Sequence, residues 1–252
     1  MRITSAEREA EIAAGIRACC KALRLSSDFA DRALGYDVDA GSLEFLYQML
    51  HKEVELRKAR KLVRLPARAG FPASFDASQF DPLEVDFPSG ESYRSLMTLP
   101  FCEGDSKKNV VMLGGPGTGK TMLSIILGQE ACKAGKEARF FQTEDLVREL
   151  MEKGPASFVR SLGKTQVVIL DGFGYSPYGL DGARLLLSMM SRIDGKVSVI
   201  LNTNLEFARW TEALADKTVA ASFAGRVLQG SFLLFFGGRD RRFDGYRARV
   251  SS

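Results

Sequence analysis

The chain has 252 residues, enough for one α/β domain with a sizeable core and a smaller appended region. It is 45% apolar and 26% charged with a net charge of +4, an ordinary soluble composition that alone implies no polyanionic partner. A single histidine, His51, excludes His-based triads and poly-His metal sites. The four cysteines (Cys19, Cys20, Cys102, Cys132) form no C-x-x-C pair and read as reduced thiols of a cytoplasmic protein. No signal peptide or apolar run of spanning length is visible, so no membrane partner is expected.

In chain order, Ile12, Ile16, Cys20 and Leu23 recur at helical spacing over residues 5–25, with Ser5 as a candidate cap. A stronger stripe, Leu43, Leu46, Tyr47, Leu50 and Val54, predicts a helix over 42–64 with Ser42 as N-cap. Residues 52–70 hold seven Lys/Arg against Glu53 and Glu55. Residues 71–91 hold five acids, no bases, and Pro72, Pro82 and Pro88. That switch predicts a helical, basic N-terminal module over 1–70, an acidic linker over 71–91 and a main domain over 92–252.

In the main domain strands and helices alternate. Strands are expected at 110–113, 138–141, 167–170, 197–201 and 231–236, with helices at 119–134, 143–152 and 180–193. Apolar strand runs of this kind suit an α/β fold whose parallel sheet is covered on both faces.

The first of these strands ends in Gly114-Gly115-Pro116-Gly117-Thr118-Gly119-Lys120-Thr121, a full match to G-x-x-x-x-G-K-[ST] between a strand and a helix. Glycines let the backbone curl so that successive N–H groups face an anion, and the helix start adds its positive dipole end. The expected ligand is ATP. Gly115 to Gly119 cradle the phosphates, Lys120 reaches the β- and γ-phosphates, and Thr121 offers a hydroxyl to Mg²⁺. Val167-Val168-Ile169-Leu170-Asp171 supplies a second acidic strand end, and Asp171 there can hold a Mg²⁺-bound water beside Thr121. Many such ATPases carry Glu at the next position to orient the attacking water. Here it is Gly172, which has no side chain to do so. Asp181, Glu144 and Asp145 are the nearest substitutes, so hydrolysis is expected to be weak or to draw on another carboxylate.

These segments resemble the IstB-like ATPases, the helper proteins of IS21-type insertion sequences, close to the bacterial helicase loaders in the AAA+ superfamily. The resemblance rests on Gly114–Thr121, Phe141-Gln142-Thr143-Glu144-Asp145-Leu146-Val147, and Val168 through Tyr175. Gly182-Ala183-Arg184-Leu185-Leu186, Ile200-Leu201-Asn202-Thr203-Asn204 and Phe207-Ala208-Arg209-Trp210 extend it, and the N-terminal layout is similar too. It implies a three-layer P-loop NTPase (AAA+) core and an ATP-dependent, oligomerising protein that binds double-stranded DNA and recruits or stimulates an IS21-type transposase.

It also implies residue roles. Asn202 or Asn204, with Asn204 preferred, senses the γ-phosphate. Arg226 reaches a neighbouring subunit's ATP as an arginine finger. Arg241 or Arg242 touches the phosphates of its own chain. The chain departs from the family pattern at Gly172, at Arg184 where an acid is usual, at Gly225 where an Asp is usual, and over Gly238-Arg239-Asp240-Arg241-Arg242.

Arg57, Arg60, Lys61, Arg64 and Arg68 recur at three- and four-residue spacing, which can follow a phosphate backbone without reading sequence. A solvated charged face is the alternative. Tyr175 and Tyr178 either stack on a partner or pack within their loop. Rival readings of the whole chain are a replicative helicase loader and a hydrolysis-deficient ATP-gated DNA-binding switch. A small-molecule P-loop kinase would need a lid arginine cluster and an acceptor pocket.

Overall fold

The computed structural model describes residues 5–26, 28–37 and 39–238. The chain divides into two units, Met1–Arg64 and Leu65–Ser252.

In the first unit, helices α1 (Ser5–Leu23), α2 (Phe29–Gly35) and the first part of α3 (Ala40–Ala69) pack through the two stripes read from the sequence. Ile12, Ile16, Cys20 and Ala30 form one cluster with Leu43, Leu46, Tyr47 and Leu50, and Cys19, Leu23 and Val54 form a second. The seven-residue α2 buries only Ala30, too little apolar pattern to betray it. Ser5 opens α1, and its side chain lies outside the described residues. Ser42 is not the cap of α3. It sits inside the helix and donates from N and Oγ to the carboxylate of Asp39, the residue before the helix (3.0 and 2.8 Å). An acceptor just ahead of the first turn is what its unpaired N–H groups require.

The apolar stripe predicts a helix ending at 64, and Pro66, two residues on, removes one helical hydrogen bond. Instead the helix runs to Ala69 and ends at Gly70. Leu65 and Ala69, at 2% and 0% exposure, belong to the core of the second unit, and their burial offsets the proline. The boundary between units therefore falls at Arg64/Leu65, within the helix, where the sequence suggests residue 70.

The acid-rich stretch 71–91 likewise belongs to the second unit. Asp76 and Asp81 cap short 3-10 turns, Phe80 and Val85 are buried, and Val85–Asp86 form strand β1. Acidic residues here serve as turn caps, so charge alone makes a packed segment look like a linker.

The rest of this unit alternates as expected. After α4 (Tyr93–Leu96) come β2 (Val110–Gly114), α5 (Lys120–Lys133), β3 (Glu137–Gln142), α6 (Thr143–Lys153), α7 (Pro155–Leu162), β4 (Thr165–Phe173) and α8 (Gly179–Ile193). Then follow β5 (Ser198–Thr203), α9 (Trp210–Leu214), α10 (Lys217–Leu228) and β6 (Phe232–Phe236). The six strands lie in the order β1-β6-β2-β5-β4-β3, all parallel except the β1–β6 pair.

Alternation along β4 splits the core into two faces. Val167 and Ile169 point toward α5 with Leu123, Ile126 and Leu127, whereas Val168 and Leu170 point toward α6 to α10 with Leu146, Leu186 and Phe223. The result is a three-layer α/β unit. Phe173 at the end of β4 stacks on Phe223 (5.2 Å between centroids) and meets Trp210 edge-on, anchoring the strand end on which the site is built. Among the described residues no helix is long and apolar enough to cross a membrane.

Candidate nucleotide site

In a parallel sheet the carboxyl ends of the strands open on one edge, and ligands bind there. The loop Gly115–Gly119 leaves β2 at that edge and feeds α5. Gly117 and Gly119 have φ of 70° and 102°, which gives the loop its curl. Thr118 Oγ1 donates to Gly115 O at 2.8 Å, and the Lys120 ammonium, itself buried, donates to Gly114 O (2.8 Å) and Gly115 O (2.6 Å). The cation is thereby held within the curve of the loop, where phosphate oxygens would replace carbonyls as its acceptors.

Four elements converge next to it. Thr121 Oγ1, in the first turn of α5, donates to Asp171 Oδ1 and Oδ2 at 2.9 and 3.1 Å. Asn202 Nδ2, on β5, donates to Asp171 Oδ1 at 2.7 Å and to Ser124 Oγ at 2.9 Å. Gln142 Nε2, ending β3, lies 3.4 Å from Asp171 Oδ2, and Thr143 Oγ1 donates to Asp171 O at 2.8 Å. Asn202 Oδ1 is buried with no partner among the described residues.

A cavity of about 340 Å³ opens over Lys120, Thr121, Asp171 and Asn202, with Gln142 outside its lining. Its polar wall is Lys120, Thr121, Asp171 and Asn202. Its apolar wall is Pro72, Ala73, Phe75, Met122 and Ile125. A hydroxyl and a carboxylate side by side, with an unpaired amide oxygen close behind, are hard oxygen donors that suit Mg²⁺. Thr121 and Asp171 would hold the ion, which would supply neutralisation of the charge that develops on the phosphates.

Gly172 follows in the left-handed region (φ 71°), and β4 slips register between Leu170 and Phe173. A Cβ at 172 would stand 2.7 Å from the ring of Tyr175. The backbone thus favours glycine, and a glutamate here would be strained by conformation as well as being absent in sequence. Among the described residues, Asp171 is the sole carboxylate that lines the cavity. Glu144 accepts from Ser176 Oγ at 2.5 Å, Asp145 pairs with Arg148, and Asp181 is exposed on α8. Tyr175 is exposed at the cavity, while Tyr178 packs inside its loop and accepts a hydrogen bond from Gly174 N at 2.7 Å. Burial pushes the Tyr178 phenol up to about 12.

The structure brings Asn202, not the preferred Asn204, to Asp171. Asn204 lies past the end of β5 and is exposed. The sequence does hold the signal. Val168-Ile169-Leu170-Asp171 and Val199-Ile200-Leu201-Asn202 are parallel runs, and the pairing matches Val168 with Val199, Ile169 with Ile200 and Leu170 with Leu201. Aligning the triplets sets Asn202 beside Asp171.

Arg226, on α10, donates to Ser222 O and borders a separate cavity with Lys107, Lys108 and Asp194. Its carbonyl accepts from Asn109 Nδ2, just ahead of β2 and so at the opposite edge of the sheet from the loop. In the first unit Arg60, Lys61 and Arg64 are exposed and make no ion pair among the described residues. Arg57 instead pairs with Glu53 at 2.8 Å and donates to Leu23 O. Arg68 is exposed within the second unit, and Arg241 and Arg242 lie outside the described residues.

A strand, a phosphate-shaped loop and a helix, with an acidic strand end and a polar neighbour strand focused on the same point, define a P-loop nucleoside-triphosphate-binding protein. The family profile described as IstB-like ATP binding protein matches residues 21–247, and the chain belongs to that family. Two relatives are named for insertion sequences and for ATP binding. The IS5376 protein of Geobacillus stearothermophilus is 30% identical over 207 residues, 79% of this chain and 80% of its own length. The IS21 protein of Pseudomonas aeruginosa is 32% identical over 203 residues, 79% and 76% of the two chains. Among solved structures, DnaI is similar over 62% of this chain and 88% of its own (TM-score 0.48, 20% identity). The DnaC helicase loader is similar over 68% of this chain and 97% of its own (TM-score 0.45, 20% identity).

Proposed function

We propose that this chain is an ATP-dependent helper of transposition. It binds ATP with Mg²⁺ at the phosphate loop, assembles as a homo-oligomer on double-stranded DNA, and recruits or stimulates an IS21-type transposase. The observation that carries the reading is the convergence of Lys120, Thr121, Asp171 and Asn202 on one cavity in a chain of the IstB-like family. The insertion-sequence names of its relatives support the choice of partner.

Arg60, Lys61 and Arg64 on α3 are the proposed contacts to DNA phosphates, with Arg57 and Arg68 flanking them. Arg226 is proposed to meet a neighbouring copy's nucleotide. Hydrolysis is proposed to be slow, because among the described residues Asp171 alone lines the cavity as a carboxylate and Gly172 cannot be replaced by one without strain.

The test is the mass of the protein on double-stranded DNA, with Mg²⁺-ATP and without nucleotide. Oligomers formed on DNA only with ATP are expected. A monomer under every condition would reject the reading, and capture of a replicative helicase in place of a transposase would point to helicase loading.

A further inference from the structure

Hydrolysis of ATP needs a group that holds a water in line with the γ-phosphorus, and the usual position for it, 172, is closed. The neighbourhood of Gly172 shows what stands there instead. A Cβ built on Gly172 would meet the Tyr175 ring and would lie in ordinary contact, 3.4 Å, with Gln142 Oε1, so the Gln142 amide borders the space beside position 172. Its other end, Nε2, lies 3.4 Å from Asp171 Oδ2.

The position follows from the sheet. β3 and β4 run parallel with Gln142 paired to Asp171, so the last side chain of β3 is set beside the last acidic side chain of β4 by register. Gln142 is exposed, so its amide can reach solvent water while it stays beside the carboxylate. The nearby carboxylates are engaged elsewhere, Glu144 with Ser176 and Asp145 with Arg148.

We propose that Gln142 orients the attacking water for ATP hydrolysis, in the role that position 172 cannot fill. The inference rests on the ATPase reading above. An amide offers one acceptor oxygen and two donor hydrogens, so Oε1 accepts from the water while Nε2–H holds to the Asp171 carboxylate. It is not a base. The water oxygen forms the new bond to the γ-phosphorus, and the bond from that phosphorus to the β–γ bridging oxygen breaks with its electron pair going to ADP. The water proton passes to an oxygen of the released phosphate. Water orientation by glutamine serves P-loop GTPases in the same chemical task.

The experiment compares the full chain with Gln142→Ala in the presence of double-stranded DNA and Mg²⁺. Three quantities are read: phosphate release, affinity for a non-hydrolysable ATP analogue, and affinity for ADP with aluminium fluoride, which imitates the phosphoryl group in flight. The expected result is a loss of roughly 100-fold in turnover and a comparable loss of ADP–aluminium fluoride affinity, the scale on which single contacts to a reacting centre act. Affinity for the analogue stays within about twofold, since a ground-state ligand does not need the water contact.

A variant that matches the wild type in turnover and in ADP–aluminium fluoride affinity overturns the inference and leaves the ATPase reading standing. Equal loss of affinity for both ligands also overturns it, by showing that Gln142 acts in binding. A wild-type protein with neither phosphate release nor preference for ADP–aluminium fluoride overturns the ATPase reading together with the inference.

Discussion

Asn202 on β5 holds Asp171 on β4 through a 2.7 Å hydrogen bond from Nδ2 to Oδ1, and both side chains are more than nine-tenths buried. The same amide nitrogen reaches Ser124 on α5, so the acidic strand end is tied both to its neighbour strand and to the helix that follows the phosphate loop. Asn202→Ala should lower Mg²⁺-ATP affinity by about tenfold, the equivalent of one charge-assisted hydrogen bond. Asn204→Ala, at an exposed site, should stay within about twofold. Calorimetric titration of the two variants checks the assignment, and the reverse ranking would return the sensing role to Asn204.

Gly172→Glu, the substitution that would write a conventional catalytic pair into the sequence, is expected to fail as a repair. A left-handed residue with a side chain costs about 1–2 kcal/mol, and here the Cβ also meets the Tyr175 ring. Thermal unfolding should fall by several degrees, on the order expected for ~2 kcal/mol in a chain of this size, with no gain in phosphate release. Higher turnover in Gly172→Glu would show that the strand end relaxes more readily than its geometry implies.

Charge reversal at Arg60, Lys61 and Arg64 together should weaken DNA binding and reduce the slope of log affinity against log salt by about one for each phosphate no longer neutralised. Arg57→Glu is expected to act differently. That guanidinium is committed to Glu53 and to the Leu23 carbonyl, so its removal should lower stability more than the salt slope. Filter binding across a salt series, paired with melting curves, separates the two effects.

Burial holds the Cys102 thiol protonated and pushes it up to about 11 from an ordinary 9.0. The folded value lies above the unfolded one, so the stabilisation is fully present below about pH 9 and is lost as pH rises through 11. Melting temperatures of the wild type should therefore fall faster than those of Cys102→Ala between these limits. Parallel curves would show that the thiol contributes nothing to alkaline unfolding.

Much of this fold is legible in the sequence because its strands are unusually plain. Runs such as Val167–Leu170 are apolar on both faces, as strands buried between two helical layers must be, and each ends where a turn or a functional polar residue begins. The phosphate loop and Asp171 are legible for a similar reason, since chemistry fixes their residue types and spacing. Legibility fails where packing between distant segments decides the outcome. The apolar stripe fades after Val54, but Leu65 and Ala69 have core partners that local sequence does not reveal. Asp76 and Asp81 signal a solvated linker because a capping acid and an exposed acid are the same letter. Gly172 in the sequence is only a missing side chain. Its positive φ and the ring of Tyr175 show a backbone reshaped around the absence, which no single-residue reading contains. Choosing between Asn202 and Asn204 requires strand register, a property of two strands and not of one.

Asn109 has a further consequence through its place in the sheet. Its amide nitrogen donates to the carbonyls of Arg226 and Val227, and its amide oxygen accepts from Val199 N, which fastens Arg226 to the edge where the strands begin. The nucleotide cavity lies where they end, one strand length or about 15 Å away. Arg226 is thus held at the far edge of the sheet from its own chain's nucleotide cavity, so the proposed contact has to come from another copy. If the copies meet head to tail, each would offer its strand-start edge to the strand-end edge of the next. A row of such copies has polarity. Unless such a row closed on itself, one terminal copy would hold a nucleotide that no neighbour's Arg226 meets, so growth and disassembly at the two ends would be chemically different events.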